Sequence, residues 1–301
     1  MTDAIDRPDP QMRLGMIAMI AAMGMLPIGD AVSKILTTVA SPFDVSVWRT
    51  TAQALFFLPI AILYRKRLRG GIFSGAAAAS GACLAIVMLS LVSAFAVMPI
   101  ATAIAIFFVE PLLLTLLSWP LLGERPGPRR FAAVAVGMIG ALIVIRPNFA
   151  VFGPVALFPF LAALAYALNM IILRRATRSR SPLALQIGAT FFAAMGFLLA
   201  SGAGALLGRQ PAALTQAEGW VWGLVAFAGV LAALTFLLIT FAFSKAEASL
   251  LAPLQYLEIV GATLVGLLLF SEFPDAITWL GTAIILGSGV YVFHREKVSA
   301  G

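Results

Sequence analysis

Residues Ala94–Pro126 read AFAVMPIATAIAIFFVEPLLLTLLSWPLLGERP, and 148 positions later, at Ala242–Pro274, the chain reads AFSKAEASLLAPLQYLEIVGATLVGLLLFSEFP. The two stretches align without a gap. Ala94/Ala242, Phe95/Phe243, Glu110/Glu258, Thr115/Thr263, Leu116/Leu264, Leu121/Leu269, Glu124/Glu272 and Pro126/Pro274 are identical pairs. Chance matches of Leu and Ala are common in apolar sequence, but here four of the chain's thirteen acidic residues fall into register. The pattern marks an internal duplication of roughly 150 residues.

Composition sets the class around this repeat. With 61% hydrophobic and 11% charged residues and a mean hydropathy of +1.02, the chain has too little polar surface to cover a soluble globule. It reads as an all-α integral membrane protein. Cys83 is the single cysteine and His294 the single histidine, so an intramolecular disulfide and a Cys/His metal cluster are both excluded. No cofactor is expected. The net charge of +7 does not point to nucleic acid, because the basic residues sit in short connections between apolar runs, where membrane topology explains them.

The first residues, MTDAIDRPDPQMR, lack the basic-then-apolar pattern of a cleaved signal peptide; residues 1–13 are expected to be a cytoplasmic segment. Ten apolar spans follow, at about 14–36, 45–64, 72–92, 98–121, 131–146, 153–173, 183–206, 219–243, 248–270 and 276–293, each near the length that crosses a bilayer core. The repeat divides them into a first five-helix half, 14–147, and a second, 148–296, with a tail at 297–301. With both termini in the cytoplasm, sixteen of twenty Lys and Arg residues lie inside. Only Lys34, Arg146 and Arg209 lie outside, and Arg49 falls within the second span; the opposite orientation would put RKRLR and RRATRSR on the wrong face. Five spans per repeat is an odd number, so the halves are expected to be inverted about a pseudo-two-fold axis in the membrane plane. Two such halves can expose one central site to each face in turn. No GxxxxGK[ST] loop occurs, so no ATPase is expected, and a gradient or the substrate's own concentration must drive transport.

In pattern and residues the chain resembles the drug/metabolite transporter superfamily, in particular its ten-span bacterial EamA-type members. The resemblance covers nearly all of 14–296 and rests on FFVEPLLLTLLSWPLLGERPGPRRFAAVAVGMIGALIVIRP and QYLEIVGATLVGLLLFSEFPDAITWLGTAIILGSGVYVFHRE, with Ser271 where a glycine is usual. It implies a multi-pass carrier of small organic solutes in the bacterial inner membrane. Export of amino acids or related compounds is the preferred expectation. Import of a vitamin or nucleoside-like cofactor, of the riboflavin or S-adenosylmethionine type, is the alternative, and a non-transporting scaffold is the rival of another class. Beyond substrate and membrane lipids no partner is implied, and monomer and homodimer stay open.

Candidate working residues follow from the cost of burying charge, on the order of 2.5–3.5 kcal/mol at helix centre on insertion scales. Glu110 and Glu258 sit midway along spans four and nine as mates in the repeat, and either can line the substrate path, exchange a proton with it, or serve as a strut between helices. Glu124 and Glu272 have reached the membrane boundary, where holding helix ends through local pairs is the expected role. Asp30 and Lys34 are spaced i,i+4 and either pair on one face or line the substrate path and take part in proton coupling. Arg49 either snorkels to the nearer interface or binds a substrate carboxylate. Tyr166, Asn169 and Gln255 supply uncharged hydrogen-bonding groups, to the path or to helix packing. Gln255 shares a face with Glu258 while Tyr256 points elsewhere. Pro111, beside Glu110, is the candidate hinge.

Overall fold

A computed structural model describes residues 10–66, 68–123, 127–208 and 217–300. The described chain is all-helical: α1 (Pro10–Leu36), α2 (Pro42–Leu63), α3 (Gly75–Phe95), α4 (Ile100–Phe107), α5 (Glu110–Leu122), α6 (Pro128–Phe152), α7 (Phe158–Ala176), α8 (Pro182–Leu206), α9 (Gly219–Lys245), α10 (Ala248–Gln255), α11 (Leu257–Phe270) and α12 (Ala276–Ala300). A short 3-10 turn, Gly153–Leu157, joins α6 to α7. Among the described residues, eight stretches are long and apolar enough to cross a membrane. One of them, 128–176, holds both α6 and α7, and the apolar part of α12 at 276–292 is shorter. Large apolar side chains such as Ile17, Leu55, Leu142, Leu199 and Leu268 stand on the outer surface, as they do where lipid is the solvent.

Local sequence accounts for the helix ends. Ser41 and Ser181 each precede a proline and accept the amide of the third residue on, Asp44 or Ala184, so α2 and α8 open with the same Ser-Pro cap. Asp275 accepts from the Thr278 amide at 2.7 Å and starts α12. The fifth span, expected at 131–146, is longer than the sequence suggested: α6 runs on through Arg146 and Pro147 and stops only at Gly153, whose φ of 66° turns the chain.

The two halves exchange partners. α1 packs on α9 while α7 packs on α3; α1 packs on α11 while α7 packs on α5; and α2 meets α8 as α6 meets α12. These contacts between halves have their mates with the roles reversed, as a two-fold relation requires. Small residues allow the close approach: a Cβ on Gly140 would fall 2.8 Å from Ile284 Cγ2, and one on Gly281 2.4 Å from Val144 Cγ2. In lipid, where apolar surface alone gives helices no reason to associate, such contact is a main attraction between α6 and α12.

Candidate functional site

Spans four and nine, each read from the sequence as one apolar run, are each broken in the middle. α4 ends at Phe107 and α5 begins at Glu110; α10 ends at Gln255 and α11 begins at Leu257. Pro111 has no N–H to offer the Phe107 carbonyl, four residues back. The backbone tightens instead, with Val109 N–H bonding Ile106 O and Leu112 N–H bonding Val109 O. Its mate is Ile259, yet the second half breaks at the matching place, with Tyr256 N–H on Pro253 O and Ile259 N–H on Tyr256 O. Beyond each break the matched threonines bond the carbonyl four residues back, Thr115 to Pro111 and Thr263 to Ile259, an arrangement that bends helices.

Glu110 and Glu258 therefore lie in the first turns of two half-helices, where free N–H groups favour negative charge. Both are half-buried. Tyr166 of α7 lies within electrostatic reach of both carboxylates, Tyr256 within reach of Glu110 and Asp30 within reach of Glu258. Aromatic rings frame the group: Phe107 meets Tyr166 with centroids 5.6 Å apart, and Phe108 meets Tyr256, its own mate in the repeat, at 5.4 Å. The Tyr256 hydroxyl is buried without a hydrogen-bond partner. Reading α10–α11 as one helix aimed Tyr256 away from Glu258. In the structure Tyr256 comes within reach of Glu110 of the other half, and its hydroxyl lies against Gly289 of α12.

Arg49 does not snorkel. It is 7% exposed and donates from Nη1 to Ser33 Oγ at 2.5 Å, while Ser33 donates to Gly29 O. Asp30 Oδ1 lies 3.6 Å from Nη1, an ion pair longer than a hydrogen bond. The expected Asp30–Lys34 pair is not formed, because Asp30 turns into the bundle toward Arg49. Lys34 instead reaches Glu272 Oε1 at 2.6 Å and Oε2 at 2.8 Å, donates to Met98 O, and lies 5.0 Å over the Phe270 ring. Glu272 thus makes a bond across the chain rather than a local one, tying α1, the α3–α4 connection and the end of α11 together. Neither pairing could be read from helical spacing, since each is set by packing between helices.

Asn169 of α7 is 1% exposed and accepts from Ser80 Oγ of α3. Gln255 ends α10 at the second break and is half-buried. Glu124, Arg125 and Arg209 lie outside the described residues. No group of three metal-ligating side chains comes together among the described residues.

The model of the EamA-like transporter family matches residues 13–146 and again 153–293. The chain belongs to that family. A protein of Rickettsia prowazekii (strain Madrid E) named S-adenosylmethionine uptake transporter is 26% identical over 90% of this chain and 90% of its own. One of Rickettsia bellii (strain RML369-C) with the same name is 28% identical over 89% of each. A protein of Rhizobium johnstonii named riboflavin transporter is 31% identical over 68% of this chain and 65% of its own. A solved crystal structure 20% identical in sequence superposes with a TM-score of 0.60 over 96% of this chain and 98% of that one, a likeness of fold. This EamA-like chain accordingly has a transport role and is a multi-pass membrane protein that moves small metabolites.

Proposed function

We propose that the chain is a secondary transporter of the bacterial inner membrane that takes up a small metabolite bearing a flat ring and a positive charge, of the S-adenosylmethionine kind, coupled to proton movement. In this reading ten spans form two inverted halves, 14–147 and 148–296, with both termini cytoplasmic. α4–α5 and α10–α11 each count as one broken span, and the Lys/Arg distribution supports the orientation. Lys34, Met98 and Glu272 then share the outer face, where their bonds form a latch between halves. Alternating access follows from rocking the halves about the breaks.

One observation carries the reading. The repeat places Glu110 and Glu258 at matching helix breaks, with Tyr166 and its Phe107 partner beside them. The cluster holds three acids, Asp30, Glu110 and Glu258, against one base, Arg49. That surplus suits a cation or transferable protons, and the rings suit a flat group by stacking or cation–π contact. Relatives matching about nine-tenths of the chain are named for uptake, which moves the direction from the export preferred on sequence to import. Riboflavin is the second reading, favoured by the 31% identical relative and by the rings, but it leaves the acid surplus without a cation to meet.

The test is uptake of labelled S-adenosylmethionine and riboflavin by proteoliposomes of the purified protein under an imposed pH gradient. S-adenosylmethionine should accumulate and a protonophore should abolish the accumulation. Accumulation of riboflavin alone transfers the proposal to the second reading, and accumulation of neither by a monodisperse, correctly inserted protein removes it.

A further inference from the structure

Four buried side-chain atoms among the described residues have no hydrogen-bond partner: Arg49 Nε, Thr50 Oγ1, Thr51 Oγ1 and the Tyr256 hydroxyl. Three of them belong to consecutive residues of α2. A buried donor left unsatisfied costs more than an ordinary hydrogen bond contributes, and more still when it is charged, so such a concentration calls for an acceptor. Arg49 is the extreme case. Its guanidinium carries five donors in a planar fork, of which Nη1 donates to Ser33 Oγ. Asp30 balances the charge from 3.6 Å without taking up Nε.

The Arg49 guanidinium is also joined to the proposed site. It lies against Gly29 of α1, where a Cβ would stand 3.1 Å from Nη2. The next residue, Asp30, is within electrostatic reach of Glu258, and one turn earlier Pro27 packs into the space left by Gly261 of α11, with a Cβ there only 2.8 Å from Pro27 Cγ. Arg49, Asp30 and Glu258 thus form a charge chain from α2 through α1 to α11. A base with a free donor stands at one end and the acids with their aromatic frame at the other.

We infer that Arg49 binds a carboxylate of the transported metabolite, whose cationic and ring-bearing part lies against Glu110, Glu258 and Tyr166. This rests on the proposed transport reading and narrows it: the substrate is zwitterionic, with an amino-acid-like carboxylate. S-adenosylmethionine has a carboxylate, a sulfonium cation and an aromatic ring, whereas riboflavin has no carboxylate. The carboxylate supplies the acceptor that Nε lacks, and Asp30 keeps the guanidinium compensated when no substrate is bound.

The test compares ligands that differ only in the carboxylate. Thermal stabilisation of the purified wild-type protein, and inhibition of its uptake, are measured with S-adenosylmethionine against decarboxylated S-adenosylmethionine, and with arginine against agmatine and tryptophan against tryptamine. In at least one pair the carboxylated member should bind tenfold or more tightly. The double variant Asp30→Asn, Arg49→Gln removes both charges together and leaves neither partner alone; in it the preference should fall to about twofold or less, while Arg49→Lys, with its charge but no fork, should fall between. Equal binding within every pair by the wild type, or an undiminished preference in the double variant, overturns the inference. Riboflavin uptake without response to any pair also overturns it and leaves a transporter standing, whereas no uptake of any compound removes the transport reading as well.

Discussion

A carboxylate within a span costs enough on insertion that it persists only where something answers it, and Glu110 and Glu258 are answered by their place at half-helix starts beside Tyr166. If one of them carries the coupled proton, Glu→Gln keeps size and much of the hydrogen bonding but removes the exchangeable charge. In Glu110→Gln or Glu258→Gln, gradient-driven uptake should fall by on the order of tenfold, or ~1.4 kcal/mol, while substrate counterflow, which needs no net proton movement, survives. Normal gradient-driven uptake in both variants withdraws these residues from coupling. Ser271 gives a prediction of another kind. It ends α11 with φ 55°, the one positive φ outside glycine among the described residues, at the position where its mate Gly123 ends α5 with φ 76°. A left-handed non-glycine residue costs roughly 1–2 kcal/mol, so Ser271→Gly should raise the unfolding temperature in detergent, and a lowered one would contradict the account. Residue identities alone were enough to single out Glu110, Glu258 and Arg49, because charge in apolar sequence is conspicuous. Their partners were not legible: Asp30 has Lys34 one turn away yet faces Arg49, and Lys34 crosses 238 positions to Glu272, since the facing surfaces of packed helices decide such bonds.

At the scale of elements, the repeat made the spans legible and Pro111 pointed to the first interruption, but the place of the second was not legible. Pro111 explains the first break, whereas the second stands at a matching place with Ile259 where the proline would be. The break therefore belongs to the shared architecture more than to one proline, and Pro111→Ala should leave transport within about threefold of wild type, less than the tenfold that ~1.4 kcal/mol represents. Loss of transport in that variant would make the proline the hinge. The Lys34–Glu272 bond joins elements of both halves and is mostly shielded, with side-chain exposures of 13% and 26%. A hydrogen bond between charged groups contributes about 1.5–3 kcal/mol, so Glu272→Gln should open the outer face and speed labelling of a cysteine placed at Val97 in a Cys83→Ser background; unchanged labelling denies the latch. At the start of α12 the Thr278 side chain and amide hold the exposed Asp275 carboxyl below its ordinary range. A folded-state pKa below the unfolded one gives stability that is present at neutral pH and lost as pH falls through the folded value. Asp275→Ala should therefore cost about 1 kcal/mol at neutral pH, and the difference from wild type should shrink in acid, as thermal melts at several pH values would register.

For the whole molecule, the proposed mechanism uses the exchanged contacts of α1 with α9 and α7 with α3, and of α1 with α11 and α7 with α5, to let two halves trade conformations. The family resemblance and the duplication were visible in sequence because the repeat keeps its acids in register; which helix meets which was not, because apolar spans of similar composition have interchangeable faces until small residues such as Gly140 and Gly281 select a partner. The proposed inverted topology makes a direct prediction: reporters fused after Arg69 or Arg180 should read as cytoplasmic and one after Gly153, where α6 ends, as periplasmic. The central claim is that the cluster between the helix breaks meets water from each face in turn. It is tested most directly by placing a single cysteine there, Tyr166→Cys in a Cys83→Ser background, and applying a membrane-impermeant thiol reagent to right-side-out and to inside-out vesicles. The account predicts labelling from both faces, slowed by S-adenosylmethionine on either; labelling from one face only, or from neither, would contradict it.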